Sequence, residues 1–189
     1  MKIYRYHLKF CLFIGLIFNS VFLVAQHDKF VSIPRPLNAT GIWITDIKQD
    51  HLGYLWVSNP GLARYDGHEW KTYQHDPNDP NTIATNEIES VCPSSNGLVW
   101  VGTKGRGLDC LDPTTEKVMH YLLKGNKSSN MNENFITVLR EGKDGTLWIG
   151  THDGLYSRDP IKGRFTHYPA NPHDPQSLSH HQVRAIFED

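Results

Sequence analysis

Leu147-Trp148-Ile149-Gly150 is the third writing of one phrase: Leu55-Trp56-Val57-Ser58 and Val99-Trp100-Val101-Gly102 precede it, so the tryptophans stand 44 and 48 residues apart. A recurrence in that range marks a repeat architecture, in which each unit buries its apolar face only against a neighbour. Nine residues before each Trp lies an apolar anchor: Ile47, Val91 and Leu139. Between anchor and Trp runs a turn: Asp50-His51-Leu52-Gly53, Ser94-Ser95-Asn96-Gly97 and Gly142-Lys143-Asp144-Gly145. Gly and Asn there supply the positive φ of tight hairpin turns.

Past each Trp a second Gly-containing turn leads to Leu62, Leu108 and Leu155, which open segments ending at Asp66, Asp112 and Asp159. A fourth segment ends in Tyr: Trp70 to Tyr73, Val118 to Tyr121 and Phe165 to Tyr168. From that Tyr to the next anchor the gap is always 18 residues, as in Tyr73 to Val91 and Tyr121 to Leu139. Four short strands and one link of constant length per unit predict an all-β fold, a β-propeller of four-stranded blades. The blades fall at about 44–86, 87–134 and 135–182, with the start of a fourth at 183–189. Trp56, Trp100 and Trp148 are expected to pack between neighbouring blades, where an indole buries a large area. Gly102 and Gly150 are expected where blades crowd together. Ser58 stands at that position in the first blade, and Asn59-Pro60-Gly61 predicts a distorted turn there.

Both ends read as incomplete. Residues 1–25 carry Lys2, Arg5 and Lys9, then an apolar run from Phe10 to Ala25, the pattern of a secretory signal peptide. The run is short for a membrane span, which needs about 20 apolar residues. Residues 26–189 then form a partial propeller. Lys29-Phe30-Val31-Ser32-Ile33-Pro34 matches the fourth strand of the third copy, an outer strand with no blade in front of it. Val183 to Asp189 matches Ile44 to Asp50, a first strand whose Trp would fall beyond the sequence. The expectation is three blades with an orphan strand at each end, in a piece of a longer protein.

The composition is that of a globular domain: 39% hydrophobic, 21% charged, net charge −1. That balance gives no electrostatic case for nucleic acid or a membrane surface. Cys11 lies in the leader; Cys92 and Cys110 remain, either as buried thiols or, in an oxidising compartment, as a disulfide. The 11 histidines are scattered through links and turns without metal-ligand spacing, so no metal or cofactor is expected. The Gly-rich stretch Gly102 to Gly107 opens no helix, which weakens a phosphate-binding reading. No nucleophile motif or carboxylate pair stands out. No catalytic residue is expected in this chain, and none can be named for ligand binding.

The unit from Leu139 to Leu155, with Gly145, Leu147-Trp148-Ile149-Gly150-Thr151 and Gly154-Leu155, resembles the two-component regulator propeller repeat. The link Asn171-Pro172-His173-Asp174-Pro175-Gln176-Ser177-Leu178 resembles that family too. The resemblance covers about residues 30 to 189. It implies the periplasmic sensor region of a hybrid two-component histidine kinase, anchored in the inner membrane and working as a homodimer. It also implies further blades and kinase modules downstream and an oligosaccharide or other small periplasmic ligand. Kinase activity then belongs to the parent protein. The alternatives are part of a secreted propeller enzyme, such as a lyase or glycosidase, or a structural interaction propeller.

Overall fold

The computed structural model describes Ser32 and residues 43–58, 60–123 and 134–189. The leader expected at 1–25, the outer strand expected at 29–34 (Ser32 apart) and Asn59 of the first blade's second turn lie outside the described residues.

Among the described residues, twelve strands form three antiparallel sheets, each in plain chain order. The first sheet holds β1 (Ile47–Gln49), β2 (Leu55–Ser58), β3 (Leu62–Tyr65) and β4 (Trp70–Tyr73). The second holds β5 (Ile88–Pro93), β6 (Val99–Thr103), β7 (Leu108–Leu111) and β8 (Val118–Tyr121). The third holds β9 (Ile136–Glu141), β10 (Leu147–Thr151), β11 (Gly154–Arg158) and β12 (Phe165–Tyr168). Such four-stranded meanders, repeated and packed face to face, are propeller blades. The first hairpin turns carry their glycines in the left-handed region, with φ of 87° at Gly97 and 80° at Gly145, where an L side chain is strained.

The middle sheet is covered on both faces, and alternation along its strands divides the labour. Val99, Val101 and Leu111 join Trp56, Leu62, Ile83 and Ile88 in one core between the first and second blades. Trp100, Leu108 and Cys110 join Ile136, Leu139, Leu147 and Ile149 in another, between the second and third. Trp56 and Trp100 thus each face the following blade. Trp56 is 1% exposed and Trp100 4%. Trp148 is only half-buried, because among the described residues no further sheet covers its face. Leu62 and Leu108 are buried and Leu155 half-buried, for the same reason.

Gly102 and Gly150 sit where a side chain has no room. A Cβ on Gly102 would lie 2.5 Å from Ile136 Cγ2 of the next blade, and one on Gly150 would lie 2.9 Å from Val183 Cγ1. Ser58, at the same position in the first blade, is fully buried, and its hydroxyl accepts from the Asp46 amide at 2.9 Å. Its pairing with Leu62 across the second turn is regular.

Side chains stitch the inner strands together in one register. Asp46 Oδ2 accepts from the Val91 amide at 3.0 Å, and at the equivalent place Ser90 Oγ accepts from the Leu139 amide at 3.1 Å. Thr45 Oγ1 donates to Ile88 O at 2.7 Å; Thr137 donates likewise to Val183 O. Residues 183–189 therefore lie against the third blade as a first strand would, although no described residue pairs with them in a ladder.

Candidate functional site: the face of the first hairpin turns

The turns between first and second strands gather at one end of the three blades. They enclose a depression of about 400 Å³, lined by Asp50, His51 and Ser95 from the first two blades and by Arg140, Lys143 and Glu188 beyond. Short turns put it there. Each follows an inner strand, so three successive turns crowd toward the same centre.

Two carboxylates clamp neighbouring turns. Glu141 accepts from the Ser95 amide at 3.0 Å and the Ser95 hydroxyl at 2.6 Å. Glu188, at the same repeat position, accepts from the Lys143 amide at 3.2 and 3.3 Å. Asp50 is consumed internally: Oδ1 accepts the Leu52 and Tyr54 amides, and Oδ2 the Trp56 indole N–H at 2.9 Å. Arg140 stacks on Phe187 at 5.7 Å. The lining carries both charges, Arg140 and Lys143 beside Asp50, Glu141 and Glu188.

A second polar cluster lies at the outer side of the second blade. Asp109, fully buried in β7, accepts from the Ala84 amide at 2.8 Å and pairs with His120 Nδ1 at 2.6 Å. His120 Nε2 in turn meets Pro80 O at 3.0 Å. A carbonyl can only accept, so Nε2 carries a proton, and the second proton is shared between Nδ1 and Asp109. Burial pushes the Asp109 carboxyl up. Burial opposes the charged imidazole of His120, but its hydrogen bonds to Asp109 and Pro80 outweigh that and hold its pKa above the ordinary value. The pair fastens the link of residues 74–87 to the second blade.

Cys92 and Cys110 are both free and buried. They flank Trp100 on one rung, each paired directly with it. Two strand spacings, about 9.5 Å, separate them, beyond the ~7 Å reach of a disulfide. Burial pushes both thiols up to about 11. Among the described residues no three His, Cys, Asp or Glu side chains are grouped to hold a metal. Nor is any described helix long and apolar enough to cross a membrane.

None of the repeat positions Trp56, Trp100, Trp148, Gly102, Gly150, Leu62, Leu108 and Leu155 belongs to the depression; they build the blades behind it. Of its lining, Asp50, His51, Ser94, Ser95, Gly142 and Lys143 read in the sequence as turn residues and not as binding residues. Glu141 and Glu188, recurring two places after their anchors, are a signal left unread there.

Fold and site together define a class: blades of a β-propeller that present a polar face of turns. The repeat is more specific. Residues 130–153 match the family described as two component regulator propeller. Over 70 residues it is 36% identical to Histidine kinase P4 of Formosa agariphila, an alignment covering 35% of this chain and 5% of that protein. Among solved structures, a catalytically inactive virginiamycin B lyase from Staphylococcus aureus superposes with a TM-score of 0.52 at 14% identity, covering 75% of this chain and 45% of that one. The extracellular domain of a hybrid two component system from B. thetaiotaomicron gives 0.47 at 20% identity, covering 87% and 32%. At 14% identity the likeness to the lyase establishes the fold alone. The chain thus spans a small part of the kinase and less than half of either structure.

Proposed function

We propose that this chain is the exported sensor propeller of a hybrid two-component histidine kinase, with the ligand received at the face of the first hairpin turns. The observation that carries the reading is the match of residues 130–153 to the two component regulator propeller repeat, in register with two further copies. The partial identity to a histidine kinase supports it. The ligand class is an oligosaccharide or similarly polar small molecule, in keeping with a depression lined by Arg140, Lys143, His51 and Ser95. Binding would bias two placements of the sensor in a homodimeric parent, by no more than the ligand's differential affinity for the two states. The chain itself performs no catalysis in this scheme; phosphoryl transfer belongs to kinase modules of the parent, which is held in the inner membrane. The test is calorimetric titration with a panel of neutral and acidic oligosaccharides, on the wild type and on Lys143→Ala. Saturable binding to at least one glycan, weakened by the substitution, is expected. Binding that Lys143→Ala leaves unchanged would move the site off this face.

A further inference from the structure

On the face of the first blade that meets the second, the register places Lys48, Trp56, Arg64 and Lys71 on one rung. Lys48 pairs with Asp46 at 2.7 Å, and Lys71 pairs with Glu116 of the second blade. Arg64 is the exception. Among the described residues no carboxylate lies within ion-pair distance of it, and its Nε is buried without a hydrogen-bond partner. Its guanidinium lies 4.6 Å over the Tyr54 ring and 5.8 Å over Trp56.

Across the next interface a guanidinium also covers the Trp, Arg158 of the third blade standing 4.8 Å over Trp100 with its Nε likewise unpartnered, but it comes from the facing blade and not from the Trp's own rung. The equivalent rung positions hold Cys110 beside Trp100 and Ser157 beside Trp148. Arg64 also lines a cleft of about 300 Å³ between the two blades. Tyr54 and Trp56 form its wall on one side, Leu98, Pro113 and Thr114 the wall on the other. The one carboxylate in the lining, Asp50, is already occupied by two amides and the indole N–H. A half-buried guanidinium without a counter-charge costs desolvation that an incoming anion would offset. The planar fork, which stands over an aromatic ring, matches a carboxylate through two parallel hydrogen bonds.

We infer that this cleft takes a carboxylate-bearing ligand, with Arg64 as the receptor of the carboxylate and Tyr54 as the ring that backs its guanidinium. In treating the ligand as a signal, the inference rests on the sensor reading above. The cleft shares Asp50, His51, Pro93 and Ser94 with the neighbouring depression, so one acidic glycan can reach both.

The test uses glucuronate and glucose, which differ only in the carboxylate, with the chain titrated calorimetrically and by tryptophan fluorescence. Saturable binding of glucuronate and none of glucose is expected. Arg64→Gln should weaken glucuronate by about tenfold or more, the loss of a charge-assisted contact, and Arg64→Lys should restore part of it. Thr114→Glu, an exposed substitution on the opposite wall, should block the cleft with its own carboxylate and keeps the test valid if Arg64→Gln fails to fold. Failure of glucuronate to bind, or equal binding by wild type and Arg64→Gln, would overturn the inference. So would sulfate competing as strongly as glucuronate, which would assign the site to a tetrahedral oxyanion. Equal binding of glucose and glucuronate would also overturn it while leaving a glycan sensor intact. The sensor reading itself is decided separately, by the gene beyond Asp189.

Discussion

The contact between Gly102 and Ile136 is the sharpest place to test how the blades meet. Gly102 is not in the left-handed region, so alanine meets no backbone penalty there, and the cost comes from space. The new Cβ would sit 2.5 Å from Ile136 Cγ2 and 3.1 Å from its Cβ, where carbon atoms normally rest about 3.5–4.0 Å apart. Ile136 is fully buried and cannot swing into solvent, so the third blade must shift. Overpacking of this kind costs about 1–3 kcal/mol, partly offset by about 0.5–1 kcal/mol from the loss of glycine's freedom in the unfolded chain. At this chain length each kcal/mol lowers the melting temperature by about 2–4 °C. Ile136→Ala alone leaves a cavity, at about 2–5 kcal/mol. In the double variant the methyl at 102 enters that cavity, so the two costs should fall short of their sum by about 0.5–3 kcal/mol. Gly97→Ala is the control. Its φ is +87° with open space around it, so it should cost about 1–2 kcal/mol from backbone strain and show no coupling to Ile136. Urea unfolding followed by tryptophan fluorescence measures all five, the Gly97→Ala/Ile136→Ala double variant included. Additivity of Gly102→Ala and Ile136→Ala within about 0.5 kcal/mol would refute the inter-blade contact.

Other expectations follow from single groups. Because His120 holds its proton above the ordinary histidine value, its contribution is complete below the unfolded pKa of about 6.5 and is lost as pH rises through the folded pKa. The melting temperature should therefore fall as the pH is raised from about 6, and His120→Gln should flatten that slope; a slope unchanged in the variant would sink this account. Asp50→Ala removes acceptors from two amides and the Trp56 indole and should cost about 1–3 kcal/mol, read by denaturation, with a shift in Trp56 emission. Intact mass after alkylation should find Cys92 and Cys110 both reduced, and labelled only in denaturant, because both thiols are buried and raised to about 11.

Much of the blade was legible because its determinants are local. The fourth strands run from Trp70 to Tyr73, Val118 to Tyr121 and Phe165 to Tyr168, the segments read in the sequence, since alternation and glycine turns act within a few residues. The stitching between blades was not. Asp46 and Ser90 do one job at one repeat position, but they are chemically unlike, so no recurrence flags them. Asp109 was overlooked although its setting, Leu108-Asp109-Cys110-Leu111, places a charge inside an apolar run, a pattern that signals a buried partner. Arg64 was invisible for a different reason. Its isolation appears only when Lys48 and Lys71 are seen to hold the nearby acids. The disulfide alternative left open by the sequence is excluded by register, since Trp100 stands between the two cysteines.

The sensor reading stands or falls on what the gene encodes beyond Asp189. Sequencing through that point should find further Trp-containing blades, then a membrane-spanning helix of about 20 apolar residues and a kinase module with its phosphoacceptor histidine. A stop codon soon after the propeller, with no membrane helix and no kinase, would contradict the account.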